Sequence, residues 1–385
     1  MKPRVMFYVQ HLLGIGHLAR ASLICAGLVE HKFDVKMVMG GAPVAGFPGP
    51  GVEVEYLPVL KAGSFQFNDL TDENGTIASQ QYLDDRRDRL LSLFAAYQPD
   101  ILIVEAFPFG RRQMRFELIP LLEAAKSADW KPLVVGSVRD IIQEKKQPKR
   151  LRETVDTLNK YYDLLMVHGD PNFIKLSETF ELAPQIEHLI QYTGIISADI
   201  PPLTGPAYDV IVSAGGGAAG ELIMLNAMQA RPLTHLADAN WCFITGPNLS
   251  ESVRVQLQEN RSDKVTVETH RTDFRALLAQ AQLSISQAGY NTAADILRAR
   301  CSSVLVPFSS GGETEQSRRA AKLTKLGIVA SISEVGLTPE RLAEVINNAL
   351  AGSQHARPDI EIALDGANRT AILLLKLLNN SDSFD

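Results

Sequence analysis

The sequence predicts an α/β protein built from two Rossmann-like parallel-sheet domains that face a central cleft. Three observations predict it. Short, continuous apolar runs alternate with amphipathic stretches of helical period, the pattern of a parallel sheet covered on both faces. The alternation breaks once, at the proline- and glycine-bearing stretch 198–208 (ADIPPLTGPAY), and then starts again. Each half opens with a strand, a glycine-rich turn and a helix. A chain of 385 residues with 45% hydrophobic residues has material for two such cores.

In the first half the strands are expected at 4–9, 34–39, 52–57, 100–105, 132–138 and 164–168, with helices at 18–30, 79–97 and 111–126. In the second half strands are expected at 209–213, 241–245, 264–268, 283–286 and 303–308. Helices follow at 220–229, 273–281, 292–299 and 316–326. The late stretch 367–378 contains AILLLKLL and is too apolar for an exposed helix, so it is expected to pack back across the domain interface. The domain expectation is therefore 1–197, 198–366 and a returning helix within 367–385.

Charge and cysteine usage exclude several classes. The formal net charge of −6 gives no basic footprint for nucleic acid. Cys25, Cys242 and Cys301 are far apart without CxxC spacing, which fits a reducing cytoplasm and neither a disulfide framework nor a zinc site. The first apolar run is short and broken by Gln10, His11 and Gly14, unlike a secretory leader. No stretch reaches the roughly 18 apolar residues of a membrane span.

Four loops carry the chemistry. LGIGHLARA (13–21) presents Gly14, Gly16 and His17 where a strand turns into a helix. It fits the dinucleotide pattern G-x-G-x-x-A, but the second strand ends Val38-Met39-Gly40-Gly41 without the acid that would hold a ribose. What remains is a turn whose backbone N–H groups face the cleft, with an imidazole at the helix mouth. Such a histidine can cap or pack; it can also act as general base, with the helix dipole keeping it neutral. SAGGGAAGE (213–221) repeats the arrangement with Ser213, Gly215, Gly216 and Gly217, again with no acid after the next strand. Two glycine loops, each at the first strand–helix turn of its half, point to a phosphorylated ligand, although tight turns for close packing alone give the same pattern.

The third loop, SISQAGYNTAADIL (284–297), turns at Gly289. Asn291 or Thr292 is expected to cap the helix and Asp295 to lie about one turn in, as a ribose acceptor or as an ordinary first-turn carboxylate. The fourth, VPFSSGGETEQSRRAAKL (306–323), places Glu315 and Gln316 at a helix start, where a carboxylate and an amide suit sugar hydroxyls.

Together these motifs resemble those of the GT-B glycosyltransferases, most closely family 28, the group that includes the lipid II-forming N-acetylglucosaminyltransferase. Gly14 to His17 match its Gly-His loop, and Gly215 to Gly217 its Gly-Gly-Ser loop with glycine for serine. Ala288 to Asp295 match its Ser-Gly-x-x-Thr-x-x-Glu run with aspartate for glutamate, and Glu315-Gln316 is similar to the acid–Gln pair of UDP-sugar transferases. The resemblance implies a GT-B fold and an inverting, metal-independent transfer from a nucleotide sugar, most simply UDP-linked, with no cofactor. It implies a donor site in the second domain that includes Arg271, whose backbone would read the uracil. The acceptor would lie in the first domain, with His17 as base. Gly14, Gly16, His17 and Arg20 also resemble the Gly-x-Gly-His-x-x-Arg of a UDP-sugar hydrolase, in which water is the acceptor. A non-catalytic nucleotide-sugar-binding protein is the third reading, and the presence of His17 speaks against it.

On the acceptor side, EAFPFGRRQMR (105–115) sets Glu105, Phe107, Arg111 and Arg112 at a strand end. Aromatic and basic groups there could hold a saccharide, a lipid-linked acceptor or a small molecule. The basic stretch 139–152 is either a solvated helix face or a peripheral contact with an anionic membrane.

Overall fold

The structure is a computed structural model and describes residues 2–12, 16–62, 70–143, 147–215, 220–352 and 361–381. The chain divides into two compact units, Met1–Ile196 together with Asp365–Asp385, and Ser197–Leu364.

The first unit is a parallel sheet with helices between its strands. Its elements are β1 (Arg4–Val9), α1 (Gly16–Glu30), β2 (Asp34–Met39), β3 (Val52–Tyr56), the short antiparallel pair β4 (Lys61–Ala62) and β5 (Leu70–Thr71), α2 (Gln80–Tyr97), β6 (Ile101–Glu105), α3 (Arg115–Ser127), β7 (Leu133–Arg139), α4 (Pro148–Tyr161), β8 (Leu164–His168) and β9 (Ile190–Tyr192). The seven-stranded order is β3-β2-β1-β6-β7-β8-β9, every pair parallel. Strand direction of chain travel reverses between β1 and β6, so the crevice that parallel sheets offer to ligands lies at the carboxyl ends of those two strands. The central strands are buried on both faces, Val5 to Val9 without any exposed surface, which is why they read as unbroken apolar runs.

Local chemistry explains the helix limits. Ser79 caps α2 by accepting from the Tyr82 N–H at 3.2 Å. The helix expected from 111 is delayed, because Arg111 adopts a left-handed φ of 56° and a short 3-10 turn precedes Arg115. Pro148 opens α4, where its missing N–H costs nothing. α4, β9, and the helices at 251–259 and 339–352 below are elements that the sequence reading did not place.

A fully buried ion pair ties the ends of β1 and β2 to α2 and α3. Arg86 Nε donates to Glu117 Oε2 at 2.7 Å, and Arg86 Nη2 donates to Gln10 Oε1 at 2.8 Å. Arg86 Nη1 donates to the Gly40 carbonyl at 2.9 Å, and Tyr8 Oη donates to Glu117 Oε1 at 2.5 Å. Gly40 is obligatory here, since a Cβ would stand 1.9 Å from Gln10 Oε1.

The second unit contains β10 (Val210–Ser213), α5 (Glu221–Ala230), β11 (Trp241–Ile244), α6 (Glu251–Glu259), β12 (Val265–Glu268), α7 (Phe274–Gln280), β13 (Leu283–Ser286), α8 (Tyr290–Ala299), β14 (Ser303–Leu305), α9 (Glu315–Lys325), β15 (Ala330–Ser331) and α10 (Pro339–Gly352). Its six parallel strands run β12-β11-β10-β13-β14-β15, the same order as in the first unit, with the switch between β10 and β13. The segment before β10 is held to this unit: Asp273 accepts from Thr204 N at 2.8 Å and from Thr204 Oγ1 at 2.9 Å.

The chain then returns to the first unit through an isolated bridge, Ile196 with Asp365, and ends in α11 (Gly366–Ser381). α11 starts so close to α1 that a Cβ on Gly27 would stand 2.8 Å from the Ala367 carbonyl oxygen. Among the described residues, no helix is long and apolar enough to cross a membrane. All three cysteines are buried and free.

Candidate functional site

In the first unit the switch point gathers His17, Arg20, Glu105 and Arg111. Gly14 lies outside the described residues; Gly16 begins α1 and His17 is its second residue. Glu105 is the last residue of β6, the strand beside β1. His17 Nδ1 lies 3.0 Å from Glu105 Oε1. Arg20, three residues along α1, pairs with the same oxygen. Arg20 Nη2 also comes to 3.3 Å from His17 Nδ1. The Glu105 oxygen is the nearer partner and can only accept, while Arg20 Nη2 directs its proton to that same oxygen, so Nδ1 is assigned the proton and Nε2 keeps its lone pair. Arg111 Nε crosses from the end of β6 to donate to the Gln10 carbonyl at 2.7 Å.

The electrostatics follow from burial and crowding. Burial, then Arg111 and Arg20, lower His17 to a pKa of about 3, outweighing the pull of Glu105. The ring is thus neutral at pH 7, through burial and arginines more than through the helix end. Burial alone would raise the Glu105 carboxyl, but Arg20, His17 and Ser137 hold it far below the usual carboxylate range. Burial, reinforced by Arg139 and Arg20, brings Arg111 down to about 10.

The structure places the four expected acceptor-side residues differently from one another. Glu105 is 1% exposed with both oxygens engaged inside the unit, so it serves His17 rather than a ligand. Phe107 is likewise 1% exposed and belongs to the core, which leaves it no surface for an acceptor. Arg112 shares Glu153 with Arg115 and lines a small pocket with Phe109, Ile142, Arg150, Leu151 and Phe180.

In the second unit the loop after β10 is described at Ala214, Gly215 and Gly220; Gly216 and Gly217 lie outside the described residues. Gly215 adopts φ +71°, and its N–H donates to Ser213 Oγ at 3.3 Å. A Cβ on Gly220 would stand 2.2 Å from the Ala214 Cβ, so glycine lets α5 start hard against β10. Across the switch, Gly289 caps α8 with open space where a side chain would be. α8 begins at Tyr290, earlier than expected, because Gly289 is still extended (φ −62°, ψ 155°). Asn291 and Thr292 therefore lie inside the first turn and do not cap it, and Asp295 lies deeper than one turn. Asp295 Oδ1 is 3.6 Å from Arg275 Nη1. Burial raises its carboxyl to about 6 against the opposing pull of Arg275.

Three other expected donor residues turn inward. Arg271 donates from Nε and Nη2 to Asp273 at 2.7 and 2.8 Å and from Nη1 to Glu268 at 3.2 Å. Glu315 is 2% exposed and accepts from Arg319 Nη2 at 2.8 Å. Gln316 Oε1 accepts from Ala288 N at 3.0 Å and Phe308 N at 3.2 Å. The Glu315–Gln316 side chains thus bind the loops after β13 and β14 together: buried donors there need acceptors, and these two groups supply them.

Sequence reasoning missed Ser137, His168 and Thr193, which continue the polar group from Glu105. The available signal was a polar residue closing an otherwise apolar buried strand: SVR ends β7 and VH ends β8.

Comparison with known proteins agrees with this architecture. Residues 210–370 match the glycosyltransferase family 28 C-terminal domain. A UDP-N-acetylglucosamine–N-acetylmuramyl-(pentapeptide) pyrophosphoryl-undecaprenol N-acetylglucosamine transferase of Acidithiobacillus ferrooxidans is 32% identical over 139 residues, 35% of this chain and 38% of that protein. Its namesake from Xanthomonas campestris pv. campestris is 26% identical over 203 residues, 49% of this chain and 47% of that protein. The chain thus spans less than half the length of these curated relatives. Among solved structures, the spinosyn forosaminyltransferase SpnP aligns with a TM-score of 0.65 at 15% identity, covering 98% of this chain and 100% of that one. The MurG of Acinetobacter baumannii aligns with a TM-score of 0.58 at 15% identity, covering 97% and 100%. The chain has the GT-B fold, and residues 210–370 are similar to the glycosyltransferase family 28 C-terminal domain.

Proposed function

We propose that the protein is an inverting glycosyltransferase that moves a sugar from a nucleotide-sugar donor, UDP-linked, to a hydroxyl of a saccharide, lipid-linked or small-molecule acceptor. The observation that supports this reading is the His17–Glu105 pair at the carboxyl end of the first sheet, with Nδ1 committed to the carboxylate and Nε2 left basic. In the reaction, His17 Nε2 takes the acceptor's hydroxyl proton as that oxygen bonds to the anomeric carbon. The bond from that carbon to the diphosphate breaks, and the diphosphate leaves with the electron pair. Glu105 stabilises the imidazolium that forms. The isolated ring is a weak base, but an anionic diphosphate brought near it would raise its pKa towards the working range.

On the donor side, the N–H groups around Gly215 and the start of α5 receive the developing diphosphate charge. Asp295 accepts from the ribose diol, and the backbone at Arg271 reads the base. Asn291 and Thr292 complete the donor contacts at the start of α8. This scheme places the leaving-group charge on backbone dipoles and needs no metal, so excess chelator leaves the rate unchanged.

The test is release of UDP from UDP-sugars with and without saccharide and lipid-linked acceptors, for the wild type and for His17→Ala. Acceptor-dependent release that falls about 10³-fold in His17→Ala, with donor binding retained, is the expected result. Equal release without acceptor would overturn transfer in favour of hydrolysis. Failure to bind any nucleotide sugar would overturn the whole reading.

A further inference from the structure

Glu105 has a second oxygen, and what holds it is not part of the reaction described above. Oε2 accepts from Ser137 Oγ at 2.5 Å. Ser137 stands opposite Glu105 in the β6–β7 register. Its hydroxyl oxygen lies 3.0 Å from His168 Nε2, and His168 Nδ1 lies 2.8 Å from Thr193 Oγ1. A single file of polar groups therefore crosses from β6 to the residue after β9, through a sheet whose neighbouring side chains are apolar.

The direction of every bond in this file follows from its anionic end. The Glu105 carboxylate accepts only, so Ser137 donates its proton there. Ser137 must then accept from His168, which carries its proton on Nε2. The bare Nδ1 of His168 accepts from Thr193 Oγ1 at 2.8 Å, a much shorter contact than the 3.4 Å from that hydroxyl to the Gly194 carbonyl. His168 is fully buried, and burial first, then the Arg20 charge, keep its ring neutral, the state that gives one donor and one acceptor. A buried polar file of this kind is costly unless every member is satisfied, and here Glu105, Ser137, His168 and Thr193 satisfy one another in turn.

We propose that Ser137 and His168 are positioning residues that hold Glu105, and through it the His17 ring, in the tautomer and orientation the transfer needs. This rests on the reading of His17 as the base. Neither residue touches the reacting atoms. Their effect is to stop the carboxylate rotating away from Nδ1, and displacements of about 1 Å at such a pair cost up to about a hundredfold in rate. The charged and titratable groups that face the pair are Arg20 from α1, Arg111 after β6, Arg139 at the end of β7 and His168 at the end of β8.

The experiment uses the full chain and five variants. Ser137→Ala and His168→Phe break the file. Ser137→Thr keeps the hydroxyl, and His168→Gln places an amide N–H where Nε2–H stands. His17→Ala assigns the His17 signals in 15N NMR of the imidazoles and tests the base itself. The breaking variants are expected to lower kcat about tenfold with donor KM within about twofold. They raise the acidic limb of the kcat/KM profile, because Glu105 no longer shares its charge with a hydroxyl. They also mix the His17 tautomers, while the two conservative variants restore most of kcat and the Nδ1–H form. Unchanged tautomer and pH profile in both breaking variants would overturn the proposal. Wild-type turnover in His17→Ala would instead remove the base reading, and the tautomer measurement would still decide whether the file orients the ring.

Discussion

Acid should unfold the first unit, and His168 sets a measurable share of that sensitivity. The perturbation is His168→Gln, which keeps the donor to Ser137 and removes the titrating ring. In the unfolded chain His168 binds a proton below its ordinary pKa of 6.5, and in the folded unit only near 3. Between those values the unfolded state holds more protons, so stability falls as pH falls. The difference, 6.5 − 3 = 3.5 units, corresponds to about 4–5 kcal/mol when fully developed, and to about 1.4 kcal/mol for each pH unit on the way down. His17 shifts in the same direction, but its side chain is 19% exposed, so solvent screening reduces its share. The assay is urea unfolding from pH 7.5 to 4.5 read by tryptophan fluorescence. The chain has two tryptophans, one in each unit. In a Trp241→Phe background Trp130, whose ring lies 5.4 Å from that of Phe94, reports the first unit alone. Wild-type stability should lose about 2 kcal/mol more than His168→Gln between pH 6.5 and 4.5, because the unfolded ring is only half protonated at the upper limit and the full slope develops below it. Parallel curves for the two proteins would refute the assignment of His168 as a buried neutral ring.

Two further outcomes concern the other buried charges. Asp295→Asn should stabilise the second unit at pH 7.5 by up to about 3 kcal/mol, since its folded pKa of about 6 lies above the ordinary 3.8 and stability is lost as pH rises through that window. The same variant should weaken UDP-sugar binding; Trp241 fluorescence in a Trp130→Phe background and calorimetric titration check the two halves of the statement. Arg86→Met should cost the first unit about 3–5 kcal/mol by leaving Glu117 buried and unpaired, and Arg86→Met with Glu117→Leu should recover much of that. Additive losses in the urea series would show that the pair is not coupled.

The parts of the fold that were legible are those where burial dictates composition. β1, β2, β6, β8 and β13 sit in sheet interiors, so their apolar runs announced them nearly to the residue. α4 and α6 were hidden, because each is polar on average: Thr154 and Thr157 make up part of the buried face of α4, and α6 buries only Val253 and Leu257. His17 was legible from its place after a glycine turn. The role of Glu105 was not: an acid at a strand end looks like a ligand contact until the register brings Arg20 and His17 onto one of its oxygens. The internal partners of Glu315 and Gln316 were not legible for a related reason. A helix start rich in acceptors suits a sugar, but here two backbone N–H groups and the buried Arg319 claim those acceptors first.

The same strand order surrounds two different sets of groups at the two switch points. At β1–β6 the crevice is lined by side chains that titrate, and their charges are crowded and buried enough to move His17 and Arg111 away from their ordinary pKa values. Such a site is suited to moving a proton, because small changes in nearby charge decide where the proton rests. At β10–β13 the crevice is made by backbone. Gly215 turns left-handed, Gly246 lies so close that a Cβ there would stand 2.4 Å from the Gly215 oxygen, and Gly289 leaves the start of α8 open. Peptide dipoles do not titrate, so they hold a diphosphate equally well across the pH range in which the imidazole must change state. The proposed transfer calls on both properties, a group that can take a proton and fixed dipoles for the departing diphosphate. Asp295 is the exception on the donor side, a carboxyl raised towards neutrality by burial with only a long contact to Arg275. A carboxylate left that poorly compensated costs the fold stability, and a diol that donates two hydrogen bonds to it is the ligand chemistry that would recover the loss.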